Sequence, residues 1–311
     1  MRVLVTGVSG YVGSLLVPRL LAAGHEVRGL ARDPKRVASE GVPIVRGDAL
    51  TGEGLAQALQ EVEVAYYLIH SMERTERGQT RAPSFEERER RSAERFAQAA
   101  QAAGVRRIVY LGGLLGDGQS ATHPSRHLSS RESVERILLD AVGDSVALRA
   151  SIVIGARSRS FRLLVRLVER MPVLALPAWR TFRTQPIDER DVAAMLLACA
   201  TADVGGRSLD VGGPDVLSYG EMIERIADLM LVHRPTLSFG MNATIVTARV
   251  AAAVASEDPE LVLPLMESLQ RDLLPRDDHA AELLGVQLHE FDTAVEHALG
   301  EWERTERLAA R

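Results

Sequence analysis

The sequence predicts an α/β fold with a doubly wound parallel sheet, and two observations support this prediction. Short apolar and β-branched runs alternate with longer helical patterns through the first half of the chain, which is typical of a parallel sheet covered by helices on both faces. A glycine-rich segment also lies between the first run and the first helical pattern. The helical patterns are too few for an eight-stranded barrel, so the doubly wound arrangement is favoured.

The predicted elements follow one another in regular order. The strand-like runs cover residues 2–6, 26–31, 43–46, 62–69, 106–111 and 145–148. The helical patterns between them cover residues 11–23, 54–61, 85–103 and 127–142. After about Ser151 the alternation ends. Residues 161–170 form an amphipathic pattern, residues 184–200 resemble a loop entering a helix capped by Asp188, and residues 208–211 resemble a further strand.

This change of rhythm divides the chain. We predict a core domain over residues 1–155, to which the chain returns around residues 183–214. Residues 156–182 and 215–311 then form a smaller, mainly helical C-terminal region that binds a substrate or a partner.

Composition excludes several classes of protein. The 311 residues carry a formal net charge of −5 without a basic cluster, so we expect no nucleic-acid partner. The single cysteine, Cys199, excludes an intrachain disulfide and lies in an apolar helical run, where a buried thiol is inert. We expect a cytoplasmic protein with no metal site. We also expect no transmembrane segment, because the apolar stretch 241–255 is short and contains Arg249.

The motif with the clearest chemistry is VTGVSGYVG at residues 5–13. Its three glycines lie between a strand and a helix, where they allow a tight turn, a close approach to a pyrophosphate and close helix packing. The helix N-terminus then directs its N–H groups at the phosphates. The sequence therefore predicts a Rossmann dinucleotide site, with cofactor contacts from Gly7, Ser9, Gly10, Tyr11, Val12 and Gly13.

The end of the second strand bears on which dinucleotide binds. An NAD site usually has an acidic residue there to hold the ribose 2′-hydroxyl, but this strand ends with Ala31 followed by Arg32. A guanidinium binds a 2′-phosphate well. We therefore expect NADP(H) in preference to NAD(H); the alternative is that Arg32 only pairs with Asp33 at the surface.

Further cofactor contacts are expected after the third and fourth strands. Asp48, with Ala49, follows the third strand, and its carboxylate either accepts from the adenine amino group or caps a helix beginning near Thr51. Leu68, Ile69 and His70 end the fourth strand. They lie at the carboxyl edge of the sheet, where ligands of such folds bind.

The motifs TGVSGYVG, VRGLARDP, VRGDAL, VAYYLIHSM, GVRRIVYLGGL, HLSSRESVERIL, LRASIVIG and TQPIDERDV together carry a family resemblance. The sequence resembles the atypical short-chain dehydrogenases/reductases, particularly their NmrA-like, NAD(P)-binding branch. The resemblance implies a Rossmann core, an NADP(H) preference and a small C-terminal substrate domain. Members of the family include reductases, redox sensors and assembly subunits, so the fold alone does not define the function.

The catalytic set of the wider superfamily is replaced. Its active members use a Ser or Thr after the fifth strand and a Tyr-x-x-x-Lys pair on the next helix. Here Gly112 and Gly113 stand at the hydroxyl position, and His127 and Arg131 have the spacing of the pair. Arg131 still supplies positive charge to the ribose hydroxyls, but a guanidinium does not act as a base.

Other residues provide alternatives for catalysis and for substrate binding. His127, His70 or His123 could protonate a substrate, whereas a quinone or flavin-like acceptor needs less help because solvent completes the proton transfer. The resemblance implies that the segment around Gln185 returns toward the cleft, so Gln185 is expected to line it. Gly112 and Gly113 are the other candidates for substrate contacts. The basic segment 157–162 either binds an anion or forms a solvated loop.

The sequence therefore predicts an NADPH-dependent oxidoreductase that acts on a small carbonyl, quinone or flavin-like acceptor. The alternative is a non-catalytic NADP(H)-binding redox sensor or a regulatory or assembly protein. In that case residues 229–255 are the expected partner surface. Assembly into a homo-oligomer is compatible with the sequence.

Overall fold

The fold is defined by a computed structural model, which describes residues 1–37, 41–69, 84–115, 126–238, 271–306 and 308. The strands are β1 (Arg2–Thr6), β2 (Glu26–Ala31), β3 (Ile44–Arg46), β4 (Val64–Tyr67), β5 (Arg107–Gly113), β6 (Val146–Ala150), β7 (Val153–Ile154), β8 (Leu174–Leu176), β9 (Arg183–Thr184), β10 (Ile187–Asp188), β11 (Arg207–Val211), β12 (Leu217–Ser218) and β13 (Thr236–Ser238). The helices are α1 (Tyr11–Ala22), α2 (Leu55–Leu59), α3 (Phe85–Ala102), α4 (Arg126–Ala141), α5 (Arg159–Arg170), α6 (Glu189–Ala198), α7 (Tyr219–Leu229), α8 (Ala280–Leu283) and α9 (Phe291–Glu303).

The central sheet has seven parallel strands in the order β11-β6-β5-β4-β1-β2-β3. The chain builds outward from β1 through β2 and β3, and then crosses back to β4 and builds in the opposite direction. The strand order therefore reverses between β1 and β4, which is the point where such sheets bind ligands at their carboxyl edge. The predicted doubly wound parallel sheet is confirmed.

Apolar side chains cover both faces of this sheet. On one face, α1 and α6 pack on alternate residues of the strands, and Val5, Leu16 and Leu196 are fully buried. On the other face, α2, α3 and α4 enclose a cluster that includes Tyr67 and Phe96. Because both faces are buried, the central strands consist of nearly continuous apolar runs rather than alternating ones.

A separate apolar core forms in the C-terminal part of the chain. Helices α5, α7 and α9 bury their apolar faces against one another, with Trp302 fully enclosed. The guanidinium groups of Arg162 and Arg166 lie 4.2 Å and 4.9 Å from the Trp302 ring centre, a cation–π arrangement that fixes α5 on α9.

Differences from the predicted elements are small and have local causes. Strand β5 continues through Gly112 and Gly113, because Gly112 and Gly113 pair with Arg149 and Ala150 of β6. The second helix, predicted over residues 54–61, covers Leu55–Leu59 with Gly54 as its N-cap, and it does not begin near Thr51. The predicted cap is confirmed, because the Asp188 carboxylate accepts from the Arg190 amide at 2.7 Å.

Some predictions fall on residues that the structure does not describe. These are His70, His123 and the apolar stretch 241–255. Of the residues that are described, none belongs to a helix with both the length and the apolar character needed to cross a bilayer.

A buried arginine connects three segments of the chain at the amino end of β5. Arg107 begins β5, is 3% exposed, and donates to both carboxylate oxygens of Asp144 at 2.8 Å and 2.9 Å. Its remaining donors reach the carbonyl oxygens of Cys199 and Ala202 beyond α6 at 2.7 Å and 2.8 Å. One guanidinium therefore links β5, the turn before β6 and the end of α6.

We predict that Arg107→Met lowers the free energy of unfolding by about 3 kcal/mol, because it removes the buried donor of the Asp144 carboxylate and of the Cys199 and Ala202 carbonyl groups. Urea denaturation measures this loss. Arg106→Met is the control: Arg106 pairs with the same Asp144 at 2.8 Å but is half exposed, so its loss should stay below about 1 kcal/mol. Equal losses for the two variants would contradict the assignment.

The same pair predicts a pH dependence. The Arg107 guanidinium holds the pKa of the Asp144 carboxyl below its ordinary value. A carboxyl group whose pKa is depressed on folding contributes stability above its unfolded pKa and loses it as the pH falls through the folded pKa. The difference in the free energy of unfolding between wild type and Arg107→Met should therefore become smaller as the pH falls into the acid range.

Candidate functional site

The turn between β1 and α1 is held by close backbone contacts. Gly7 has a left-handed φ of +68°, and a Cβ added to it would lie 2.6 Å from the Leu68 carbonyl oxygen. The Gly10 amide donates to the Gly7 carbonyl at 2.8 Å. A Cβ added at Gly13 would overlap that same Gly7 carbonyl oxygen. Gly7 and Gly13 are therefore required by the space available, and a side chain at Gly10 would be tight.

The first turn of α1 is suited to an anion. Its N-cap is Gly10, which provides no side-chain cap, and the first turn contains no acidic residue. The N–H groups of Tyr11, Val12 and Gly13 have no intrahelical acceptor in this position, and the helix dipole adds positive charge. Exposed Ser9 lies beside them in the turn. These residues fit the pyrophosphate of a dinucleotide.

The end of β2 has the features that the sequence indicated. Ala31 is 7% exposed and occupies the place of the expected acid, while Arg32 is exposed. The Asp33 carboxylate accepts from the Lys35 amide at 3.1 Å and caps a short 3-10 helix. The Asp33 carboxylate thus stabilises its own turn.

The structure bears on one of the two alternatives for Asp48, the helix cap. The Asp48 carboxylate accepts from the Leu50 amide at 2.8 Å, so it stabilises the turn after β3. It does not cap a helix at Thr51, because α2 begins only at Leu55. Ala49 is buried beside it. A contact between Asp48 and adenine stays a prediction.

The end of β4 lies against the glycine turn. The Thr6 hydroxyl accepts from the Leu68 amide at 3.2 Å and donates to the Tyr66 carbonyl at 2.9 Å. This bridge brings Leu68 and Ile69 to the carboxyl edge beside Gly7, where the sequence predicted them. The role of the Thr6 hydroxyl was not predicted from the sequence, because its partners lie 60 and 62 positions away along the chain.

Arg131 reaches the carboxyl end of β5. Its Nη1 atom donates to the Leu111 carbonyl at 3.1 Å and lies 3.4 Å from the Tyr110 hydroxyl. Gly112 and Gly113 follow in the same strand without side chains, so the guanidinium is the charged group at this strand end. His127 lies in the first turn of α4, and its catalytic role stays a prediction.

Gln185 lines a cavity farther along the sheet. Its Nε2 atom donates to the Gly213 carbonyl at 2.6 Å. The cavity has a volume of about 320 Å³ and is formed by the end of β11, Met195 of α6 and the segment around Pro275. Strands β6, β5 and β4 lie between β11 and β1. The structure therefore brings Leu68 and Gly7 together but places Gln185 beside another strand end.

One contact at the site was missed by sequence reasoning. The Tyr11 hydroxyl, in the first turn of α1, donates to the Glu189 carboxylate at the start of α6. The two residues are 178 positions apart, and Glu189 was considered only as part of a family motif. The acidic residue at a helix start was the available signal, but its partner depends on the tertiary fold.

Comparison with known protein families shows what this site resembles. Residues 7–151 match a family described as NAD(P)H-binding, and the match covers the glycine turn, β2, β4, β5 and α4. This part of the chain is therefore similar to NAD(P)H-binding proteins. The resemblance to atypical short-chain dehydrogenases/reductases is consistent with this result.

Individual relatives extend the comparison. The chain is 27% identical over 237 residues to a mitochondrial protein of Arabidopsis thaliana, NADH dehydrogenase [ubiquinone] 1 alpha subcomplex subunit 9, covering 73% of this chain and 57% of that protein. It is 36% identical over 116 residues to a 3-beta-hydroxysteroid dehydrogenase of Mycolicibacterium neoaurum, covering 35% of this chain and 31% of that protein. The chain thus matches less than two thirds of the length of these curated relatives.

A solved structure shows the same fold over nearly the whole chain. The Thermus thermophilus UDP-glucose 4-epimerase in complex with NAD superposes with a TM-score of 0.71 and 20% identity, covering 98% of this chain and all of that one. At this identity the likeness establishes the fold alone.

We predict that Gly13→Ala abolishes NADPH binding in isothermal titration calorimetry, because the added Cβ overlaps the Gly7 carbonyl oxygen and displaces the turn. Gly300→Ala is the matched control. Gly300 lies in α9 with no atom within 4 Å of an added Cβ, so that variant should bind normally and gain up to about 1 kcal/mol in helix stability. Normal binding by Gly13→Ala would contradict the placement of the pyrophosphate.

Proposed function

We propose that this protein is an NADP(H)-dependent oxidoreductase that acts on a small carbonyl, quinone or flavin-like acceptor. The observation that carries the proposal is the arrangement at the carboxyl ends of β1 and β5, which lie on either side of β4 in the sheet. The uncapped first turn of α1 fits a pyrophosphate, and the Arg131 guanidinium lies at the end of β5 beside Gly112 and Gly113. The site thus has one place for the phosphates of the dinucleotide and another for its nicotinamide end.

The preference for NADP(H) rests on charge. Arg32 follows β2, and Ala31 stands where an NAD site usually has a carboxylate. A guanidinium attracts a 2′-phosphate and pairs with it bidentately, whereas a carboxylate would repel it. Similarity to NAD complexes does not decide between the two dinucleotides, so the preference is our proposal.

The residues at the end of β5 support hydride transfer in a limited way. The nicotinamide supplies a hydride when it is bound. Arg131 offers fixed positive charge to an oxygen of the ribose or of the acceptor, and it does not exchange protons at neutral pH. Gly112 and Gly113 leave the strand end without side chains, which suits a flat ring. His127 is the proton donor that we assign for carbonyl acceptors.

A second function has one specific observation in its favour. The Arabidopsis relative that matches 73% of this chain is a subunit of NADH dehydrogenase, and the Ser, Tyr and Lys positions of active superfamily members are replaced here. These facts support a non-catalytic NADP(H)-binding sensor or assembly protein. In that case the C-terminal region, with its own core around Trp302, binds a partner protein instead of a small substrate. We place either protein in the cytoplasm.

We predict that Arg32→Glu weakens NADPH binding at least about tenfold more than NADH binding. The substitution replaces a guanidinium that donates hydrogen bonds to the 2′-phosphate with a carboxylate that repels it. Calorimetry with the two dinucleotides measures the difference. Arg304→Glu, on an exposed turn after α9, changes the net charge equally and should leave both affinities unchanged. Equal losses for NADPH and NADH in Arg32→Glu would remove the assignment of NADP(H).

We predict NADPH oxidation with at least one acceptor in a panel of quinones, flavins and aldehydes. With an aldehyde, His127→Ala should lower turnover about a hundredfold at neutral pH while NADPH affinity is kept, because a proton donor is lost. With a quinone the same variant should turn over nearly normally. Binding without turnover across the panel would support the sensor instead of the enzyme.

A further inference from the structure

A hydroxyl–carboxyl pair connects the dinucleotide turn to the returning chain. The pair consists of Tyr11, the first residue of α1, and Glu189, the first residue of α6. The Tyr11 hydroxyl donates to Glu189 Oε2 in a short hydrogen bond. Since the amides of α1 that face the pyrophosphate belong to the same turn as Tyr11, whatever fixes this side chain also fixes those amides.

The backbone at Gly155 lies directly against the pair. Gly155 follows β7, and a Cβ added there would overlap both the Glu189 carboxylate and the Tyr11 hydroxyl. Glu189 is 5% exposed. Arg157, two residues after Gly155, donates to the Ser14 hydroxyl at 2.9 Å. The segment after β7 thus contacts the first turn of α1 twice, once through Gly155 and once through Arg157.

Charged groups face the pair from every element packed on it. From the end of β10 there is Asp188, which is itself paired with Arg190 at 2.5 Å. From the segment after β7 there is Arg157. From α9 there are His297 and Glu301. Two further carboxylates, those of Asp188 and Glu301, therefore oppose a negative charge on Glu189, while Arg157, His297 and the Tyr11 hydroxyl favour it.

Burial raises the pKa of the Glu189 carboxyl above its ordinary value; the Tyr11 hydrogen bond and His297 act against this rise, and Asp188 and Glu301 add to it. Burial and the neighbouring carboxylate raise the pKa of the Tyr11 hydroxyl as well, so Tyr11 stays protonated. The charge of the pair is thus set by Glu189. When Glu189 is ionised, its negative charge lies near the turn that receives a doubly charged pyrophosphate.

We infer that Glu189 is a positioning residue of the dinucleotide site, which holds Tyr11 and the first turn of α1 in place and permits the tightest binding when its carboxyl group is protonated. This inference rests on the proposed dinucleotide binding. Glu189 does not contact the dinucleotide itself; it acts through Tyr11 and through its charge.

The test is calorimetry of NADPH binding at several values between about pH 5 and about pH 8, above the ordinary carboxyl pKa. Wild-type affinity should fall several-fold as the pH rises. Glu189→Gln keeps a hydrogen-bond acceptor for Tyr11 without a charge, so its affinity should match wild type in acid and should no longer fall with pH. The titration of the ligand's own phosphate is common to both proteins and cancels in the comparison.

Two further variants test the positioning. Glu189→Ala removes the partner of Tyr11 and should weaken NADPH binding about tenfold at every pH. Gly155→Ala keeps both side chains but displaces the flexible carboxyl group, and should weaken binding to a similar extent. Glu301→Gln is the control: it removes a nearby carboxylate that does not bond to Tyr11, so the affinity should still fall with pH. Thermal denaturation establishes that each variant is folded.

The outcomes separate the two claims. A wild-type protein that binds neither NADPH nor NADH contradicts the proposed function, and the inference with it. A wild-type protein that binds normally, with Glu189→Gln retaining the full pH dependence, contradicts the inference alone. Wild-type affinity in folded Glu189→Ala would do the same.

Discussion

The structure depends on the close approach of the Gly7 carbonyl group to the start of α1. That oxygen accepts from the Gly10 amide and leaves no room for a side chain at Gly13. The contact fixes the direction in which α1 leaves β1, and so aims its uncapped N–H groups across the carboxyl edge of the sheet. The end of β4, held by Thr6, closes the other side of this turn. Without the close approach there is no anion site.

The remainder of the chain is arranged around this edge. The sheet brings the ends of β2 and β5 to either side of the turn, so Arg32 and Arg131 provide positive charge at opposite ends of the expected ligand. The chain returns after β7 and at α6, where Gly155 and Glu189 contact Tyr11. The C-terminal core around Trp302 is thereby attached directly to the dinucleotide turn.

The sequence was sufficient to predict the fold and the cofactor turn, because these depend on local patterns. Alternating apolar runs and the spacing of Gly7, Gly10 and Gly13 carry their own physical reasons. Contacts between distant residues were not predictable in this way. Gln185 was expected to line the cleft, which stays a prediction; the structure places it in a cavity at the end of β11, because the position of a returning segment is set by tertiary packing. The Tyr11–Glu189 bond was missed for the same reason, since no local pattern joins residues 178 positions apart.

The central claim is that backbone amides at the start of α1 bind the pyrophosphate. Amide hydrogen exchange followed by NMR, with and without NADPH, tests it most directly because it reports on single N–H groups. The account predicts that added NADPH slows exchange at Tyr11, Val12 and Gly13 far more than at the start of α7. That helix is a suitable reference, because its first turn is already capped by Ser218. Exchange at the start of α1 that does not change at saturating NADPH would contradict the account.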